Sequence, residues 1–333
     1  MPGEPHGFQR RRPGPSFRPP MDTARATRAD LLDPAHLAAL GRVEIIARWV
    51  VDGFMSGLHR SPRKGFSVEF AEYRPYLPGD DLRHVDWKIA ARADRLVVRQ
   101  YEEETNLRAT IVLDVSRSMH WSGAQLGAAG RVREPARLTK LAYAEIAAAA
   151  LALILLRQRD AVGLVRFDDR VRTAVPPRAR QGQWRRLVAA LDDQGAGLAS
   201  SAPAALEQAA RLLERRGMVV LISDLLMDPD DTVRALRGLR AAGHDVTVLH
   251  VLDPDERELP VQGEVLFVDP ESDLAVPATV SDVRAAYRET VNEVIDEWRA
   301  RLGAAGVGYD TVATDQPFGV PLRRAFAARQ HLP

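Results

Sequence analysis

Asp114, Ser116 and Ser118 stand at alternate positions at the end of an apolar run, ATIVLDVSRSM, residues 109–119. A buried strand ending this way delivers one carboxylate and two hydroxyls at its C-terminal tip. Zinc and copper prefer imidazole and thiolate, so this is a poor donor set for them. It suits a hard divalent cation such as Mg2+, or Mn2+ or Ca2+, which takes oxygen ligands and, for Mg2+, keeps several waters. The same residue types also build Asx and ST turns, in which Asp and Ser satisfy nearby backbone groups. A second acid, Asp224, closes another apolar run, GMVVLISDLL at 217–226.

The elements around these residues predict how they are held. From residue 109 the chain alternates between strand-like and helix-like segments. Strands are expected at 109–116, 161–167, 217–226, 245–252 and 307–313, with shorter ones at 171–175 and 265–268. Helices are expected at 136–157, 183–191, 204–215, about 230–242 and 283–305. Near-continuous Val/Ile/Leu strands separated by helices indicate a mostly parallel sheet covered on both faces. The expected fold class is therefore α/β, doubly wound and Rossmann-like. Ligands of such sheets sit at the C-terminal ends of strands near a topological switch point, where Asp114 and Asp224 are both expected. Upstream, 1–25 is rich in Pro, Gly and Arg and reads as a disordered tail. Helical spacing follows at 31–55, and 57–99 changes to short strands and loops. The expected division is a tail at 1–25, a helix and charged subdomain at 26–107, the α/β domain at 108–316 and a C-terminal tail at 317–333.

Composition removes several function classes. The 333 residues carry 46 Lys+Arg against 45 Asp+Glu, so no global basic charge points to nucleic acid. With no cysteine, disulfides, thiolate metal sites and Cys nucleophiles are excluded. No G-x-G-x-x-G or P-loop supplies a phosphate cradle, and no H-E-x-x-H or G-x-S-x-G is present. The eight His are scattered without metal-ligand spacing; His84, His120, His244 and His250 read as surface or packing residues. The longest apolar run, 146–156, is too short to span a bilayer, and no apolar segment follows the basic N-terminal cluster. A soluble, cytoplasmic protein is the expectation, with neither nucleic-acid binding nor membrane insertion.

The D-x-S-x-S strand end, a later hydroxyl loop and the I-S-D strand end together resemble the von Willebrand factor A fold with its metal-ion-dependent adhesion site, over about residues 108–313. The resemblance implies that Asp114, Ser116 and Ser118 supply the first three groups and Asp224 the second acid. A Thr usually sits in a loop before a helix between them. Here the loop reads GAGLASSAPAALEQ, and Ser200, or next Ser201, takes that place.

The preceding segment, FAEYRPYLPGDDLRHVDW, resembles the signature of the domain-of-unknown-function 58 family through Phe70, Glu72, Arg74, Tyr76, Gly79, Asp80, Asp81, Arg83, Asp86 and Trp87. Members of that family are often encoded near MoxR-type AAA+ ATPases. The resemblance implies such an ATPase, or its client, as the protein partner, with this chain as the ATPase's adaptor or co-chaperone. The paired charges of Glu72, Arg74, Asp80, Asp81, Arg83 and Asp86 can serve either as a recognition surface or as a salt-bridged plug fixing the subdomain. Two acids and hydroxyls leave a bound cation electron-poor and receptive to a partner's carboxylate. The expected function is therefore non-enzymatic, metal-dependent protein–protein interaction. The alternative is a metal-dependent hydrolase or phosphotransferase working through Asp114 and Asp224.

Overall fold

The computed structural model describes residues 42–58, 73–75, 97–99, 107–123, 137–193, 202–213, 215–268 and 275–329. Helix α1 (Val43–Leu58) is followed by β1 (Tyr73–Pro75) and β2 (Val97–Arg99), which pair antiparallel. Next come β3 (Arg108–Asp114), a 3-10 turn (Arg117–His120), α2 (Lys140–Arg157), β4 (Ala161–Phe167), β5 (Val171–Arg178), α3 (Gln183–Leu191) and α4 (Ala202–Leu212). They are followed by β6 (Met218–Ser223), α5 (Pro229–Ala241), β7 (Asp245–Leu252) and α6 (Pro254–Glu258). The chain continues with β8 (Glu264–Val268), β9 (Ala275–Thr279), α7 (Val280–Ala304), β10 (Gly308–Ala313) and α8 (Gly319–Arg329).

Six strands form one sheet in the order β10-β7-β6-β3-β4-β5, parallel except for the antiparallel edge strand β5. The parallel strands need helical crossovers, and the helices cover both faces. Ile111 and Leu113 face a core shared with α1, α2, α3 and α8, whereas Val112 faces the core beneath α4, α5 and α7. Both sides of β3 and β6 are therefore dry, which is why these segments read as unbroken apolar runs. Helix α2 lies between the sheet and α1 and is buried along most of its length, so its sequence is apolar nearly all round.

Two expectations need correction. The proposed boundary near residue 107 does not isolate α1, because Ile46, Ala47, Val50 and Phe54 lie in the same core as β3 and α2. Residues 317–333 are not simply a tail: α8 folds there, and Phe318, Leu322 and Ala325 are buried in that core. The short strand expected at 265–268 is present as β8, and it pairs with β9, a strand that its Pro277 obscured in the sequence.

The β4–β5 edge contains a register shift between the Val162 and Leu164 pairings, opposite Pro176 and Pro177. Prolines cannot donate to the ladder. The buried Gln183 side chain fills the gap, its Nε2 donating to the carbonyls of Val162 (2.7 Å) and Pro176 (2.9 Å). Gly163 is required beside this bulge, because a Cβ there would lie 2.8 Å from the Pro177 nitrogen and the Val175 carbonyl oxygen. Gly163→Ala should cost about 1–3 kcal/mol through overpacking. Chemical denaturation of the variant measures this, and an unchanged midpoint would show that the bulge yields.

Candidate functional site

After β5 the chain crosses to the other side of β3 to make β6, so the switch point of the sheet lies between β3 and β6. Their C-terminal tips carry Asp114, Ser223 and Asp224. All three are buried, as are Ser116 and Ser118 in and before the 3-10 turn. Asp114 Oδ1 accepts the Ser116 backbone N–H at 2.9 Å, and its Oδ2 accepts the Ser223 hydroxyl at 2.6 Å. The Ser116 and Ser118 hydroxyl oxygens are 3.1 Å apart. The Asx-turn reading is thus correct as local geometry, and it places the two hydroxyls side by side. Asp224 is followed by Leu225, whose φ of +55° is left-handed backbone for a buried branched residue. That conformation costs roughly 1–2 kcal/mol. It is held by the Leu225 N–H donating to Ser223 Oγ at 2.9 Å and the Leu226 N–H donating to Asp224 Oδ1 at 3.3 Å.

Sequence reasoning missed the group that organises the charges. Lys140, the first residue of α2, is 1% exposed. Its Nζ lies 2.8 Å from Asp224 Oδ2 and 2.6 Å from Glu256 Oε1. Thr139 caps the helix by accepting the Ala142 N–H, and this sets the α2 start at Lys140 instead of residue 136. Glu256 is aimed by a capping box: its Oε2 accepts the Asp253 N–H, while the Asp253 carboxylate accepts the Asp255 N–H. Asp253 Oδ2 also accepts the Gly123 N–H at 3.1 Å and the Thr314 hydroxyl at 3.3 Å. These bonds tie the segment after the two serines to α6. Arg137 completes the cluster, 2.8 Å from Asp255.

Burial, reinforced by the Asp224 charge, pushes the Asp114 carboxyl up to about 7. Burial alone would lower the Lys140 ammonium, but Asp224 and Glu256 outweigh it and hold it above its ordinary value. His250 contributes a neutral wall. Burial pushes it down to about 4, and its Nδ1 is 2.8 Å from the Tyr309 hydroxyl. A His lowered on folding adds no instability near neutrality and destabilises as pH falls below about 6.5 towards 4. The His250 imidazole NMR shifts should therefore stay flat from pH 8 to about 5; titration near 6.5 would show an open wall.

Three carboxylates, Asp114, Asp224 and Glu256, face a single ammonium in this cluster. The excess negative charge and the paired hydroxyls fit a hard divalent cation, with Asp114, Ser116, Ser118 and Asp224 as the available donors. Among the described residues no group of three or more His, Asp or Glu is set for metal binding, so the donor set depends on hydroxyls. Ser200 and Ser201 lie outside the described residues, as do Glu72, Asp80, Asp81, Arg83, Asp86 and Trp87. Arg74 is placed in β1, in register with Val98 of β2.

A mixed α/β domain with a mostly parallel sheet and an acid–hydroxyl cluster at its switch point is the class this architecture defines. The family model described as "Protein of unknown function DUF58" matches residues 72–296, and the chain belongs to that family. Uncharacterised proteins of Mycobacterium tuberculosis and Mycobacterium bovis are each 32% identical over 312 residues, covering 90% of this chain and 94% of the relative. Among solved structures, the chain is similar to an aerotolerance-related membrane protein from Bacteroides fragilis. That match has TM-score 0.44 and 18% identity, and covers 68% of this chain and 100% of the other. It is also similar to the conserved hypothetical protein BatB from Bacteroides thetaiotaomicron, with TM-score 0.45 and 17% identity, covering 67% of this chain and 99% of the other. Among the described residues no helix is long and apolar enough to cross a membrane.

Proposed function

We propose that this chain is a non-enzymatic, metal-dependent protein-interaction module of the von Willebrand A type, acting in the cytoplasm. The observation supporting this reading is the meeting of Asp114, Ser116 and Ser118 with Asp224 at the switch point of the sheet. A hard divalent cation held there would offer an open coordination position to a partner's Asp or Glu. The chain's own residues set up that role: Ser116 and Ser118 present neutral donors, while Lys140 and Ser223 each engage an acid. Leu226, 58% exposed two residues beyond Asp224, gives the rim an apolar contact.

The family resemblance names the partner as a MoxR-type AAA+ ATPase or its client. The second reading, hydrolase or phosphotransferase chemistry through Asp114 and Asp224, is less well supported. Asp224 is engaged by Lys140, and the histidine beside it, His250, is held neutral in the core.

Purified full-length chain, with and without Mg2+, tests the proposal when used to capture the MoxR-type ATPase of its own host. Capture should require the divalent ion and fail in Asp114→Asn. Capture unchanged by EDTA and by Asp114→Asn would overturn the reading. Metal-dependent phosphoester turnover lost in the same variant would favour the alternative.

A further inference from the structure

The opposite end of the sheet carries a second polar feature. The N-terminal ends of β3, β4 and β6, the end of β5 and the segment after α4 surround a cavity of about 890 Å3. Arg108, Arg178, Arg180 and Arg215 line it, with Leu212 and Leu213 among its apolar lining and, among the described residues, no Asp or Glu. The whole chain is nearly charge-balanced, so four arginines around one cavity are a local concentration and not a reflection of composition. Some arginines elsewhere on the surface are paired, Arg48 with Glu44, Arg157 with Asp52, Arg172 with Asp168 and Arg301 with Glu297. Among the described residues, none of the four cavity arginines has a carboxylate partner. Arg108 is half-buried, and its Nη2 reaches only the Pro177 carbonyl, at 3.4 Å.

The rigidity of the surroundings favours a built cavity over a solvated charge run. Gly217 approaches β3 so closely that a Cβ would stand 2.2 Å from the Arg108 carbonyl oxygen. Pro176 and Pro177 fix the opposite wall. His244 is buried, with the Gly217 and Leu213 backbone as hydrogen-bonding partners.

Guanidinium groups recognise phosphate through planar paired donors. A cavity of several hundred Å3 with an apolar wall is the size of a small-ligand site. We propose that this cavity binds a small diphosphate-bearing molecule, its charge held by Arg108, Arg178, Arg180 and Arg215 and its organic body lying against Leu212 and Leu213. The site is separate from the carboxylate cluster and does not depend on the function proposed for it.

Titration calorimetry on the full chain tests this, with EDTA present so that phosphate cannot act by drawing metal from the other end. Pyrophosphate and ADP are the probes, because they distinguish a bare diphosphate from a nucleotide. Both should bind with Kd below about 1 mM, and ADP should bind more tightly if the apolar wall is used as proposed. Binding should weaken as salt rises. It should fall at least about 10-fold in the double variant Arg178→Ala/Arg215→Ala, equivalent to about 1.4 kcal/mol. Both side chains are exposed, so the variant should melt like the parent. No heat from either probe, or affinity unchanged in the double variant, would overturn the proposal. An oligonucleotide that binds more tightly than ADP would also overturn it, in favour of a nucleic-acid surface.

Discussion

Replacing Lys140 with Met should lower the stability of the metal-free chain by about 3–5 kcal/mol. The methionine fills the volume but leaves Asp224 and Glu256 without the ammonium that both contact. For a domain of this size the loss corresponds to a fall in melting temperature of roughly 10 °C or more. The defect should be larger at pH 8 than at pH 5. Asp114 and Glu256 are both held above the ordinary carboxylate range by burial, so at pH 5 a proton on either can replace part of the missing charge. Adding Mg2+ should restore part of the loss, because a divalent ion neutralises the same carboxylates. Thermal melts at the two pH values, with and without Mg2+, read all of this. An unchanged melting temperature would mean that the Lys140 contacts contribute nothing to the fold.

The second large effect is a stability difference that depends on the divalent ion. In the folded chain the Asp114 carboxyl stands at about 7, against 3.8 ordinarily. An acid raised on folding costs nothing below its unfolded value and imposes its full penalty above its folded value. At pH 8 without divalent ions this penalty is on the order of a few kcal/mol. Asp114→Asn removes it while keeping an oxygen to accept the Ser116 N–H. The variant should therefore match or exceed the parent at pH 8 in EDTA. In Mg2+ the parent should gain about 2.7 kcal/mol at a hundred times its Kd, whereas the variant gains almost nothing. A stability difference between parent and variant that is the same in Mg2+ as in EDTA would remove Asp114 from any cation site.

These two residues also show what the amino-acid order reveals and what it conceals. Asp114 and Asp224 were readable because each ends a run of apolar residues, and a strand buried on both faces has no other appearance. The parallel sheet followed from the same runs, with β3, β6 and β7 lying where expected. Lys140 was not readable as a site residue, because a lysine at the head of an apolar helix resembles any solvated charge. Its position was nonetheless a signal. A cation in the first turn opposes the helix dipole, and such a placement needs acids nearby to hold it. Glu256 carried a comparable signal in the D-P-D-E capping pattern at 253–256. Ser223 was overshadowed by its neighbour, since nothing local indicates that its hydroxyl turns back to Asp114. Helix α8 was missed because Gly319 and Pro321 punctuate its start and its apolar residues follow no strong stripe. The placement of Ser200 and of most of the charged 72–87 motif lies outside the described residues.

The proline pair in β5 governs how copies of this chain meet. An open edge strand normally invites another strand to extend the sheet, and such pairing is the usual route to cross-β aggregation. At β5 two successive residues have no N–H to offer, and the bulge they impose twists the ladder out of register. Gln183 holds that bulge in place by donating to the Val162 and Pro176 carbonyls in the gap between β4 and β5. Growth by strand addition is therefore blocked on this side. Association there has to proceed through side chains, and a concentrated solution should resist fibril formation nucleated from this edge.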